Sequence, residues 1–342
     1  MEIGRAKQRH VVITGGAGFI GSQLSAKFLA GGSKVTILTR HADSPNAQRL
    51  ARQGATVIPC DLSRSDGVPA SSDLPRGRPL IHLAADVSVN GPGLWAANVE
   101  GTKRALDLAR AIEASHVTVA SSIEAQGLGS DEEGLLPEGM ACRPVSDYGR
   151  SKLKAEEAAA EWGRATGMSL LVLRIGNIYG PGSAWLLEPT LLALLNHDSV
   201  RQAWPQLRRR RLQPLYVTDL VNGMARAIEG NLTGLYNITG EETVTIEDYV
   251  GKVAGLLDLT RELHALAEPA AAFPTPAPSL PADFAYVLMG DRLHCHRCYD
   301  NGKLRDAIGP YVGWPLSRGL ASTLQWYWGT RGLAESSCSQ GA

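Results

Sequence analysis

A cluster of glycines set between an apolar run and a helical repeat constrains this chain more than any other feature. His10 to Leu24 reads HVVITGGAGFIGSQL. The β-branched, apolar start is the pattern of a strand buried on both faces. Phe19, Ile20, Leu24, Phe28 and Leu29 then recur at helical spacing, and Gly31 and Gly32 stop the helix. KVTIL, Lys34 to Leu38, predicts a second strand. Strand, glycine turn, helix and strand make a βαβ unit. Glycines there close the turn, let a pyrophosphate approach backbone N–H groups, and let helix and strand pack tightly. The helix N-terminus adds positive potential. A plain βα loop is the alternative, but the strand before and the helix after favour a bound dinucleotide.

The alternation continues. ATVIPCDL (Ala55 to Leu62), PLIHLAA (Pro79 to Ala85) and HVTVASS (His116 to Ser122) read as the third to fifth strands. NVEGTKRALDLARAIEA, Asn98 to Ala114, is an amphipathic helix, and SKLKAEEAAAEWGRATG, Ser151 to Gly167, is another. SLLVLRIGNIYGPG predicts a sixth strand running into a loop. This is the pattern of an α/β fold, a Rossmann-type doubly wound parallel sheet. The texture changes near Pro181, so residues 1–180 are expected to form the dinucleotide domain. Residues 181–342 should form a smaller C-terminal substrate domain, with returns to the sheet near 213–240. The Pro/Ala-rich stretch from Ala267 to Phe284 reads as an ordered loop or a lid.

Composition narrows the function classes. Lys+Arg 34 balances Asp+Glu 34, which offers no basic footprint for nucleic acid. No apolar run approaches the roughly 18 residues of a membrane span, and the polar start MEIGRAKQRH does not read as a signal peptide. Five scattered cysteines suit a reduced, cytoplasmic setting. HCHRC, His294 to Cys298, is too tight to wrap one tetrahedral ion and has no second Cys-x-x-C, so no metal is expected.

The reacting groups are expected beyond the fifth strand. Tyr148 and Lys152 in SDYGRSKLKAEE are spaced i, i+4, which puts both on one helix face. An ammonium near a phenol favours the phenolate, so the Tyr148 pKa is expected to fall toward neutrality. Tyr148 would exchange a proton with a substrate hydroxyl or carbonyl, and Lys152 would also reach the nicotinamide ribose. Ser122 ends the fifth strand, where ligands of parallel sheets lie. Asn98 is either a helix cap or a polar neighbour of the nicotinamide. Arg40, at the end of the second strand in TILTRH, has no acid beside it, which favours NADP with NAD the alternative.

Thr14, Gly15, Gly18 and Gly21 are spaced T-G-x-x-G-x-x-G, and GGAGFIGS with Tyr148 and Lys152 resembles the extended branch of the short-chain dehydrogenase/reductase superfamily. The resemblance covers nearly the whole chain. It implies a substrate domain closing over the cofactor domain, and a homodimer acting on a small molecule. It selects Ser122, five residues before Gly127, as the catalytic hydroxyl. Gly15, Gly18, Phe19, Ile20, Gly21, Arg40, Asp61, Leu62, Leu83, Ala84, Ala85 and Asn98 are the implied cofactor contacts, with Tyr148 and Lys152. Ser88, Asn177 and Arg211 are the implied substrate contacts. Glu124, two residues past Ser122, resembles the Glu that acts as a carbon base in nucleotide-sugar dehydratases, although Ile123 stands where those often carry Asp. The expected function is an NAD(P)-dependent epimerase or dehydratase working through a transient 4-keto nucleotide sugar. SSIE also resembles hydroxysteroid dehydrogenases, so a secondary-alcohol dehydrogenase is the first alternative. A non-catalytic dinucleotide sensor is the second.

Overall fold

The computed structural model describes residues 9–88, 91–127, 134–183, 187, 190–191, 204–261, 264 and 298–330. Seven strands build the central sheet: β1 His10–Thr14, β2 Lys34–Thr39, β3 Thr56–Pro59, β4 Leu80–His82, β5 Val117–Ser122, β6 Leu170–Ile175 and, after three short strands, β10 Gly234–Ile238. Their order is β10-β6-β5-β4-β1-β2-β3, with every neighbouring pair parallel. The chain moves outward from β1 to β3, then crosses back to β4. The reversal opens a crevice at the carboxyl ends of β1 and β4.

Successive residues of a strand face opposite sides, and both sides here are apolar. Val11 and Ile13 pack with Ile37 against Leu24 and Phe28 of α1 (Phe19–Ala30) and Leu220 and Met224 of α6 (Val217–Glu229). Val12 and Leu38 pack with Val117 and Val119 against Ala105 and Leu106 of α3 (Gly101–Ala111) and Ala159 of α5 (Asp147–Thr166). Helices on both faces of a parallel sheet make the expected doubly wound α/β fold.

Several boundaries differ from the sequence reading. The helix that carries Lys152 begins at Asp147, because the Ser146 hydroxyl caps it by accepting from the Gly149 amide at 2.8 Å. Tyr148 is therefore helical as well. The helix read from Asn98 instead begins with a π-helical turn, Ala96–Glu100. The loop expected after β6 contains strand β7, Asn177–Tyr179, which pairs in parallel with β9, Pro214–Tyr216. Its partner lies far along the chain, so local pattern gave no sign of it.

A separate apolar cluster gathers Tyr179, Trp204, Tyr216, Val253, Leu320 and Leu324. It joins α7 (Ile246–Leu256) to α9 (Leu316–Thr330). Tyr216 stacks on Trp314 with ring centroids 4.4 Å apart. The stretch from 267 to 284 lies outside the described residues. Among the described residues no helix is long and apolar enough to cross a membrane.

Candidate active site

The crevice holds two clefts of about 240 and 270 Å³, with Leu83 and Ala85 shared between them. The first lies at the glycine turn. Gly15 adopts φ +67°, a left-handed conformation open to glycine at little cost. A Cβ on Gly21 would sit 2.1 Å from the Gly15 carbonyl oxygen, so the helix can approach the turn only without one. Gly18 caps α1 with no side-chain hydrogen bond, and no acidic residue occupies the first turn. No side chain therefore caps the opening amides of α1, whose N-cap Gly18 lines the cleft, an arrangement that suits a pyrophosphate.

The far wall of this cleft carries Arg40, His41, Ser44, Asp61 and Leu62. Asp61 accepts from the Ser63 hydroxyl at 2.6 Å and its amide at 3.0 Å. Those bonds, with the Arg40 and Arg64 charges, hold its carboxyl below the usual range against a smaller effect of burial. A charged carboxylate and an exposed guanidinium at one end, and helix amides at the other, suit a nucleoside diphosphate.

The second cleft brings together the expected reacting groups. Ser122, Glu124, Tyr148 and Lys152 all line it, with Phe19, Ile20 and Asn177. Ser122 ends β5 and caps the short helix α4, Ile123–Gln126, accepting from the Glu124 amide at 3.2 Å. Ser146 donates to Glu124 Oε2 at 3.3 Å. The Lys152 ammonium donates to the Ala120 carbonyl at 2.9 Å and lies 6.0 Å from the centre of the Tyr148 ring.

The electrostatics overturn one expectation. The Tyr148 pKa is raised, not lowered. Burial contributes most, the Glu124 carboxylate adds to it, and Asp86 adds less, while the hydrogen bond with Ser122 opposes them. Lys152 does not offset this, since burial takes its proton near pH 8, below the range in which Tyr148 ionises. Burial lowers Lys152 itself to about 8, with Glu156 one turn along the helix opposing the fall. Glu156 forms a two-pronged ion pair with Arg174 of β6, at 2.9 and 2.7 Å, and accepts from Ser121. Arg174 also reaches the Cys142 sulfur at 3.1 Å.

Other expected site residues stand elsewhere. Asn98 lines neither cleft. Its side chain is 1% exposed and is used on the fold, accepting from the Asp86 amide and donating to the Asp86 carbonyl and Ser151. It is not the helix cap, because it lies inside the π-helical turn Ala96–Glu100, whose N-cap is Trp95. Ser88 is exposed, its amide donating to Asp86, and lines neither cleft. Arg211 is exposed on the two-residue strand β8 (Arg211–Leu212), which pairs with β11 (Val244–Thr245), and is also outside both clefts. His294, Cys295 and His296 lie outside the described residues, and Cys298 is buried with its carbonyl accepting from the Leu136 amide.

Sequence reasoning missed Asp86, whose charge reaches Tyr148, and the Glu156–Arg174 pair behind Lys152. Glu156 had one available signal: it follows Lys152 at i+4, on the same helix face. Thr14, Thr39 and Cys60 also line the first cleft.

Residues 11–239 match the model of the NAD dependent epimerase/dehydratase family. Among curated proteins, the chain is similar to dTDP-6-deoxy-L-talose 4-dehydrogenase (NAD(P)(+)) of Kitasatospora kifunensis. That match is 34% identical over 185 residues and spans only about half of each protein, 50% of this chain and 53% of that one. It is 24% identical to dTDP-L-rhamnose 4-epimerase of Burkholderia thailandensis, over 93% of this chain and 94% of that one. The solved structure of a DesIV double mutant, a dTDP-glucose 4,6-dehydratase from Streptomyces venezuelae with NAD and DAU bound, shares its fold with a TM-score of 0.72. Identity there is 23%, over 94% of this chain and 98% of that one. With two thirds of its length inside the family match, the chain belongs to the NAD dependent epimerase/dehydratase family and is an NAD(P)-dependent enzyme.

Proposed function

We propose that the protein interconverts a secondary alcohol and a ketone at C4 of a nucleotide sugar. The observation that carries this reading is the convergence of Ser122, Glu124, Tyr148 and Lys152 on one cleft that joins the glycine-turn cleft. The opening amides of α1 would hold the pyrophosphate, Asp61 the adenosine, and Lys152 the second ribose. Bound there, the nicotinamide dinucleotide supplies the hydride acceptor and donor. Arg40 beside His41 and Ser44 favours a 2′-phosphate; NAD, bound in several of the solved relatives, is the rival cofactor. The apolar cluster around Tyr216 and Trp314, together with Asn177, would form the nucleotide end of the substrate site.

Tyr148 is the proton-transfer group. At neutral pH its oxygen holds a proton, which a ketone oxygen of the substrate would take. Ser122, hydrogen-bonded to the phenol, would orient that ketone by donating to it. In the alcohol direction Tyr148 must act without its proton, and Glu124 is the carboxylate that opposes its loss. Ile123, where dehydratases often carry an acid, is buried with Leu136 and Tyr299. This favours a 4-epimerase or 4-dehydrogenase over a 4,6-dehydratase.

Purified protein incubated with a panel of dTDP- and UDP-hexoses, with each dinucleotide, tests the reading. Product formation without net dinucleotide turnover supports an epimerase, and stoichiometric turnover supports a dehydrogenase. A hydroxysteroid consumed while all nucleotide sugars stay unchanged would overturn the sugar reading. In single turnover, Glu124→Gln should slow all steps together, because Glu124 here orients and does not abstract a carbon proton. Accumulation of reduced dinucleotide without product would assign it the carbon-base role instead.

A further inference from the structure

His82 sits at the end of β4 between the two clefts, 2% exposed, and contributes nothing to the proton transfer described above. Its ring nevertheless makes two close contacts with buried hydroxyls. Nδ1 is 2.7 Å from Thr14 Oγ1, in the last residue before the glycine turn, and Nε2 is 3.0 Å from Thr102 Oγ1 on α3. Burial, with the nearby charge of Lys152, lowers its pKa to about 3, so the ring is neutral and has one N–H.

The neighbours fix which nitrogen carries it. Thr102 Oγ1 lies 2.6 Å from the Asn98 carbonyl, an atom that can only accept. The single Thr102 hydrogen is therefore spent on Asn98, and Thr102 can only accept from His82 Nε2. The proton is on Nε2, Nδ1 is the acceptor, and Thr14 must donate to it. Thr14 Oγ1 in turn accepts the Ala84 amide at 3.4 Å. Beyond Thr102, Asn98 Nδ2 donates to Ser151 Oγ at 3.0 Å, and Ser151 donates to the Tyr148 carbonyl at 2.8 Å.

From these contacts we infer that His82, as the Nε2–H tautomer, is a positioning residue that ties the glycine turn to the helix turn bearing Tyr148. The connection is a chain in which every donor points the same way. It runs Thr14, His82, Thr102, Asn98, Ser151 and the Tyr148 carbonyl, and crosses β1, β4, α3 and α5. Each hydroxyl accepts from the link before it and donates to the link after it, and Asn98 joins the two halves covalently, its backbone carbonyl accepting from Thr102 and its side-chain amide donating to Ser151. A load placed on the turn at Thr14 thereby reaches the backbone of Tyr148. Ordinary packing would hold the same elements together but would leave Tyr148 indifferent to the contents of the turn. This rests on the first cleft being the dinucleotide site.

Adenosine diphosphate is the probe, since it can fill the glycine-turn cleft and has no nicotinamide to touch Tyr148. Its binding to wild-type protein is expected to slow amide hydrogen exchange at residues 149–152 roughly fivefold, the effect of about one added hydrogen bond. His82→Leu should abolish that slowing while binding adenosine diphosphate within about twofold of wild type. His82→Gln, which keeps a donor and an acceptor, should restore part of it. Nitrogen-15 shifts of the wild-type imidazole should show the Nε2–H tautomer at neutral pH and need no variant. Equal slowing in wild type and His82→Leu, or a ring protonated on Nδ1, would overturn the proposal. Failure of adenosine diphosphate to bind at all would count against the dinucleotide reading instead, and the tautomer then decides the chain alone.

Discussion

The carboxylate of Glu124 strengthens the hold of Tyr148 on its proton, and it does so from the next element along the same cleft wall. Glu124→Gln removes that charge at nearly constant shape, so the phenol should ionise at lower pH. Ultraviolet titration of the phenolate, with Tyr148→Phe subtracted, measures the shift. The stability sign follows from linkage. Tyr148 is raised above its ordinary 10, so the folded state keeps a proton that the unfolded chain loses above pH 10. Its contribution is present below that pH and fades above it, and Glu124→Gln should soften the alkaline loss.

Lys152 behaves in the opposite sense. Its pKa is lowered to about 8 from 10.5, so between those values the unfolded chain binds more protons than the fold does. The penalty of burying this ammonium is full below pH 8 and is relieved as pH rises toward 10.5. Lys152→Met should abolish turnover and yet raise the melting temperature at pH 7 by roughly 3 °C or more. The gain should shrink at pH 10. A melting temperature lowered equally at both pH values would show that the lysine stabilises the fold.

The Glu156–Arg174 pair is almost fully buried, with side chains 9% and 3% exposed. Removing one partner strands the other charge. Arg174→Met should cost about 3–5 kcal/mol in urea unfolding. Glu156→Leu combined with Arg174→Met should recover much of that loss, although Ser121 and Gln126 would lose partners.

Arg40→Asp should move cofactor preference from NADP toward NAD, since a carboxylate repels the 2′-phosphate and accepts from a ribose hydroxyl. Calorimetric titration with each dinucleotide reads the ratio of affinities. A wild-type protein that already binds NAD more tightly would refute the NADP assignment.

Gly21→Ala places a methyl 2.1 Å from the Gly15 carbonyl oxygen, closer than any contact tolerates. The helix or the turn must shift. Dinucleotide affinity should fall at least tenfold, an effect of about 1.4 kcal/mol, in a protein whose circular dichroism is otherwise unchanged.

The layered fold was legible because its signals are local. Each strand is a short apolar run, each helix a repeat, and the glycines mark one turn. Ser122, Tyr148 and Lys152 were legible for the same reason, since helix spacing and a strand end place them. Arg174, Asp86 and His82 were not, because their roles depend on distant partners: 18 residues away for Arg174, 62 for Asp86, and 68 and 20 for His82. The direction of the Tyr148 shift was misjudged on similar grounds. The i, i+4 spacing shows that Lys152 shares its face, but not that burial takes the lysine's proton near pH 8, before the phenol ionises. Asn98 and Arg211 were assigned by resemblance, and the π-helical turn and two-residue strand that carry them left no local pattern to read.

The one-way chain through His82 also bears on how such a sequence can change by descent. Replacing Thr14, His82 or Thr102 alone leaves a buried donor or acceptor with no complement, which costs more than the bond was worth. Single steps are therefore costly, while a joint exchange of all three for apolar side chains is nearly neutral for folding. Among relatives these three positions should be inherited as one block, kept together or lost together, although 88 positions separate the first from the last.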